Sequence, residues 1–180
     1  GITAQRAWDG QLEALGTAAL LTARRTGRCA VLVIGRPYHV DPGLHHELAS
    51  ELSALGRTSL SLRALPHTEA LLAQTGCRSP YHLGDVGFLT NSGDGERLAA
   101  ARFAGAFPWL VTIELSSFKC GQDASLYAEV ASAARGEAGK PGLALHDLDE
   151  TRPVASLRLR LETFLDAVAG WERRLAEDAR

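Results

Sequence analysis

Methionine is absent from this chain of 180 residues, and cysteine occurs only three times, at Cys29, Cys77 and Cys120. An odd, widely separated set of cysteines excludes a disulfide framework and points to reduced thiols. With no C-x-x-C pair, the chain does not spell a complete zinc or iron–sulfur site by itself. No apolar run approaches the ~20 residues needed to span a bilayer, and the opening residues do not read as a leader. A cytoplasmic location is the expectation. Charge of either sign is also scarce in excess: the formal net charge of −2 and pI near 6.3 leave no electrostatic footprint for nucleic acid or an acidic membrane. Gly35 lacks a following G-x-x-G, no G-x-x-x-x-G-K-[ST] occurs, and Ser116 and Ser117 lack a G-x-S-x-G elbow. The dinucleotide fingerprint, the phosphate loop and the hydrolase triad are therefore all missing. Beginning at Gly1 without a methionine, the chain reads as a fragment or trimmed piece of something longer.

What is present is organised around Val31 to Pro42. Val31-Leu32-Val33-Ile34 is a β-rich aliphatic run of the kind buried on both faces of a parallel sheet. Gly35 turns the chain, and Pro37 and Pro42 forbid helix until after Asp41. Leu44, Leu48, Leu52 and Leu55 then recur at helical spacing. Residues 57–62 alternate enough for a second strand nearer the sheet edge. Helices are also expected over residues 3–26, with Trp8, Leu12, Leu15, Ala19 and Thr22 on the packed face; in a short piece after Pro66; and from Leu98 to Phe107. Residues 81–95 carry four glycines and read as a long loop. Trp109 to Leu115 is a strong third strand and Pro141 to Leu145 a short fourth. Between them a helix uses Tyr127, Val130 and Ala134. Leu157, Leu161, Phe164, Val168, Trp171 and Leu175 mark the clearest helix of all, at spacings of four and three. At this length one domain can bury roughly two-thirds of its unfolded surface. The expected fold is thus a single α/β domain, residues 1–180, with a mostly parallel sheet of about four strands and long terminal helices.

In such sheets ligands bind at the carboxyl ends of the strands. Three loops converge there: Gly35 to Asp41, with Arg36, Tyr38 and His39; Ser116 to Asp123, with Ser117, Cys120 and Gly121; and His146 to Glu150, with Asp149. Cys120 sits just past a strand and before a helix, beside Lys119, where N–H groups and the helix dipole favour thiolate. Read from the residues alone, a lone cysteine is more often a small buried residue than a ligand, and Cys29, at the opposite end of the first strand, is expected to be only that. His45-His46-Glu47 reads as a solvated helix start, because neighbouring residues on a helix point apart. Asp147, Asp149 and Glu150 read either as a cation site or as charge complementing a helix N-terminus.

These loops carry a resemblance. Gly35-Arg36-Pro37-Tyr38-His39-Val40-Asp41-Pro42, Ser117-Phe118-Lys119-Cys120-Gly121-Gln122-Asp123-Ala124, and Asp149-Glu150 with Arg160 and Glu162-Thr163-Phe164-Leu165-Asp166 resemble three signatures of 2-hydroxyacyl-CoA dehydratase activase-related proteins. The similarity covers about residues 29–168. It implies a Rossmann-like three-layer domain related to the dehydratase and double-cubane-cluster reductase subunits, in which cysteines from more than one domain hold cubane clusters. The resemblance implies that Cys120 ligates a [4Fe-4S] cluster, incomplete in this chain alone. It also implies that Gly35, Arg36, Tyr38, His39, Asp41, Ser117, Gly121, Asp123, Asp149 and Glu150 line its cleft. The implied partners are another domain or subunit supplying further cysteines and an ATP-hydrolysing activator.

Three functions are therefore expected, in descending order. One is an iron–sulfur domain serving low-potential electron transfer. Another is a cluster-free binding or scaffold domain for a small anionic ligand or partner subunit. The last is a thiol-dependent enzyme using Cys120. Nucleic acid and membrane partners are not expected, and an oligomer is left open.

Overall fold

In a computed structural model, which describes residues 1–67, 69–76, 92–116, 121–147 and 154–178, four strands form one all-parallel sheet. They are Ala30–Ile34 (β1), Ser59–Ser61 (β2), Leu110–Leu115 (β3) and Gly142–Leu145 (β4), in the order β2-β1-β3-β4. Helices Ile2–Thr26 (α1), Leu48–Ala54 (α2), Glu69–Thr75 (α3), Ser92–Ala106 (α4), Gly121–Ala124 (α5), Tyr127–Arg135 (α6) and Val154–Asp178 (α7), with the short 3-10 turns Pro37–Val40 and Leu62–Ala64, complete the described elements. The arrangement is Rossmann-like.

β1 is the centre of the sheet because both its faces are apolar. Ala30, Leu32 and Ile34 enter one core with α1, α3, α4 and α6, while Val31 packs into the other with α2 and α7. Three layers result. β1 pairs in parallel with β2 on one side, Leu32 opposite Leu60, and with β3 on the other, Leu32 opposite Thr112. As expected, β2 stands at an edge. The crossover helix α2 lies on one face and α4 on the other, so strand order reverses between β1 and β3, the place where open α/β sheets bind ligands.

Helix α1 forms where its periodicity predicts, but with another face inward. Glu13, Gly16, Thr17, Leu20 and Ala23 are buried, Leu12 and Ala19 are partly so, and Trp8 and Leu15 stand in solvent. The reason is close approach: a Cβ on Gly16 would lie 1.8 Å from the Ala64 carbonyl oxygen, so only glycine lets α1 rest on the turn after β2. Glu13 then accepts a 2.7 Å hydrogen bond from the His67 N–H. The second helix also differs from expectation, starting at Leu48 rather than Leu44. Asp41 Oδ1 accepts the Gly43 and Leu44 N–H groups at 2.9 and 3.3 Å, a local turn that competes with helix. His46 and Glu47 follow at φ 50 and 56.

α7 packs as its stripe predicts, with Leu157, Leu161, Phe164, Val168 and Trp171 buried and Leu175 against the same core. Trp171 Nε1–H donates to the Pro108 carbonyl at 2.9 Å. The helix also holds the amino edge of the sheet, where Glu172 accepts from the Cys29 N–H at 2.7 Å and pairs with Arg57. Arg160 donates to Asp147 Oδ1 at 3.0 Å and to the Ala144 carbonyl at 2.8 Å, tying α7 to the end of β4. Lys140 is buried, its Nζ donating to the Ala104 carbonyl in the last turn of α4 and to the Phe107 and Leu110 carbonyls beyond it. That placement suits the negative end of a helix.

Candidate functional site

The carboxyl edge of the sheet is built from β1, β3 and β4 as they end. Gly35 follows β1 and is required there by its neighbour: a Cβ would come within 2.8 Å of His39 Nδ1. That nitrogen accepts the Arg36 N–H at 3.1 Å, closing the turn Pro37–Val40. Arg36 can then reach across the switch point. Its Nε and Nη2 donate to Asp123 Oδ1 at 2.9 and 2.6 Å, and Nη2 lies 3.4 Å from Asp94.

Asp123 is wholly buried and gathers the rest. Arg97 of α4, itself buried, donates to the same oxygen at 2.7 Å and to Glu114 Oε1 at 3.0 Å. Ser116 Oγ donates to Asp123 Oδ2 at 2.7 Å, since an ionised carboxylate can only accept. The 2.7 Å contact between Ser116 Oγ and the Tyr127 hydroxyl therefore has tyrosine as donor. The Tyr127 ring stacks on His146, centroids 3.7 Å apart, and His146 Nε2 faces Glu114 Oε2 at 3.4 Å. Burial works to raise the Asp123 pKa, but the Ser116, Arg36 and Arg97 contacts outweigh it and hold the carboxyl below its ordinary value. At Glu114 burial wins, and the pKa is raised in spite of His146 and Arg97.

Two arginines, three carboxylates and a histidine thus share one buried network. Ser116 is wholly buried with its proton directed at Asp123, so it presents no nucleophile to a substrate. The network is a clasp that joins the turn after β1, the end of β3, the single turn α5, the end of β4 and the first turns of α4.

Beside the clasp, over the ends of β1 and β2, lies a cavity of about 830 Å³. Val33, Leu48, Leu60 and Leu62 supply apolar wall, while His39, His45 and Arg63 supply polar groups. That volume is within the range of small-molecule sites, roughly 300–1,000 Å³.

Several residues expected at this edge meet there: Gly35, Arg36, His39, Asp123 and His146. Tyr38 is exposed, its ring 4.4 Å from that of His39. Asp41 is exposed and spends its carboxylate on its own turn, and Gly121 is exposed in the single turn α5. Cys77, Ser117, Lys119, Cys120, Asp149 and Glu150 lie outside the described residues. Cys29, at the opposite edge, is buried as expected, its thiol pushed up to about 12 by burial and by Glu172. His45 corrects the reading of 45–47 as a solvated helix start: it is 7% exposed and faces the cavity. Asp94 and Arg97 were not expected at all: the glycines at 93 and 95 put Asp94 in a stretch that reads as loop, and Arg97 falls between that stretch and the helix expected from Leu98, whereas α4 starts at Ser92. Glu114 had a visible signal, a charge inside an otherwise apolar strand.

Among the described residues no group of three or more His, Cys, Asp or Glu side chains is arranged to hold a metal ion, and no helix is long and apolar enough to cross a membrane. No family model, curated protein or solved structure matches the chain.

Proposed function

We propose that this is a small-molecule-binding α/β domain whose ligand occupies the cavity over the carboxyl ends of β1 and β2. The observation that carries the reading is the cavity itself: about 830 Å³, apolar in its walls, polar at a few points, and beside the strand-order reversal where such folds bind ligands. The adjoining clasp supports it, because a network of buried ion pairs holds the turn after β1, which forms one wall. The test is a thermal-shift screen of small organic acids, alcohols and amines against the chain and against Ala49→Trp. Ala49 is an exposed cavity-lining position where a large ring would fill the space without touching the core. A ligand at a hundredfold its Kd adds about 2.7 kcal/mol of stability. Hits that persist unchanged in Ala49→Trp would sink this assignment.

A second reading is the iron–sulfur electron-transfer domain of the activase-related resemblance, with Cys120 as one ligand. It is favoured by the meeting of Arg36 and Asp123, which belong to two of the three resembling segments and lie 87 positions apart. Cys29 is unsuited as a ligand at this edge, so the chain would contribute Cys77 or Cys120 and a partner the rest. Anaerobic purification followed by iron and sulfide assay and visible absorption tests it. Iron that disappears in Cys120→Ser supports the reading, and an iron-free wild-type chain counts against it.

A further inference from the structure

A buried ring in the cavity wall keeps a hydrogen-bonding group without a partner among the described residues. His45 is more than nine-tenths buried, and its Nδ1 accepts the Leu48 N–H at 3.0 Å. A backbone N–H can only donate, so the neutral ring carries its proton on Nε2. The ring forms part of the cavity wall, and no described residue accepts from that Nε2–H. The backbone holds the ring there at some cost, since His46 and Glu47, two consecutive side-chain-bearing residues, both adopt the left-handed conformation.

A second feature points to the same kind of ligand. Gly93, in the first turn of the fifteen-residue helix α4, borders the same cavity. The positive end of the helix dipole favours negative charge there, and Asp94 in the same turn is drawn to Arg36. The other charged groups of the lining are largely matched: Arg36 by Asp123 and Asp94, and Arg63 by Asp9 at 2.6 Å. Of the lining carboxylates, Asp9 is held by Arg63 and Gln5, and Glu96 is exposed to solvent.

We infer that the cavity takes a molecule with an apolar body and an anionic oxygen head, a carboxylate or a phosphate, and that His45 selects the head through Nε2–H. The apolar body is answered by Val33, Leu48, Leu60 and Leu62. This inference rests on the cavity reading above and adds to it the class of ligand and the residue that reads it.

Isothermal titration calorimetry of the whole chain with decanoate, decyl phosphate, decan-1-ol and decylamine tests it. A charge-assisted hydrogen bond in a partly dry site corresponds to about tenfold or more in affinity. At least one anion is expected to bind about tenfold more tightly than decan-1-ol, with decylamine weakest, and the tighter anion distinguishes carboxylate from phosphate. In His45→Leu the preference for anion over alcohol should collapse to below about twofold while alcohol binding is kept; His45→Gln, which keeps a donor and an acceptor, should retain most of it. Should circular dichroism show that His45→Leu has lost helix, His45→Phe takes its place. Equal binding of anion and alcohol, or a preference unchanged in these variants, overturns the role of His45 and leaves the cavity reading standing. If none of the four probes binds, both fall.

Discussion

Asp123 accepts from Arg36, Arg97 and Ser116 at once, and every donor except Arg36 is fully buried. Asp123→Asn would leave two guanidiniums short of a counter-charge, and breaking buried pairs from one side costs about 3–5 kcal/mol. Urea denaturation at pH 7 should show a loss in that range. The pH dependence separates the two carboxylates. Because the Asp123 pKa is lowered, its contribution is present above the ordinary value of 3.8 and is lost as pH falls through the native value. Because the Glu114 pKa is raised, the folded chain holds that proton more tightly, so its contribution is present below 4.5 and is lost as pH rises through the native value. Stability measured across pH should therefore lose its acid limb in Asp123→Asn, and lose the decline above pH 4.5 in Glu114→Gln. At Cys29, a buried thiol with pKa near 12 stays protonated at neutral pH. Peptide mapping after iodoacetamide should find it unmodified in the folded chain and modified in urea.

Among the elements, α1 shows how close approach overrides apolar pattern. Its best apolar residues by sequence, Trp8 and Leu15, are exposed; its contact with the turn Leu62–Ala64 runs through Gly16, and Glu13 accepts from the His67 N–H just beyond. Gly16→Ala should cost about 1–3 kcal/mol by overpacking, whereas Leu15→Ala should change stability by no more than about 0.5 kcal/mol. Denaturant midpoints of the two variants measure this directly, and the reverse order would mean that α1 packs on its apolar face after all. α7 behaves in the opposite way, with its stripe buried from Leu157 to Trp171. Trp171→Phe keeps most of the packing but leaves the Pro108 carbonyl without its donor, a loss of about 1 kcal/mol.

For the whole molecule, the order β2-β1-β3-β4 decides where anything can bind. Crossovers on opposite faces part at β1 and β3, which opens the carboxyl edge between those strands. Ion pairs from α4, α5 and the loop after β1 clasp one side of this opening, and the cavity occupies the other. Binding there should stabilise the entire chain, since β1 is shared by both cores. A bound anionic ligand should accordingly raise the single unfolding midpoint, with no separate transition for the loops.

The local pattern determined the elements and their layering. A β-branched run without polar interruption reads as a central strand, and helical spacing at Leu157 to Leu175 reads as a packed helix, because burial follows periodicity. The sequence also placed Arg36, His39 and Asp123 at one edge, since strand ends in a parallel sheet lie together whatever the connections. What it did not carry was distance. That Arg97 crosses from α4 to Asp123, that Glu114 turns inward to Arg97 and His146, that Gly16 rather than Leu15 meets the neighbouring turn, and that His45 lines a cavity all depend on which surfaces touch. Only the tertiary structure decides those contacts, because each joins residues far apart in the chain through packing that no local spacing records.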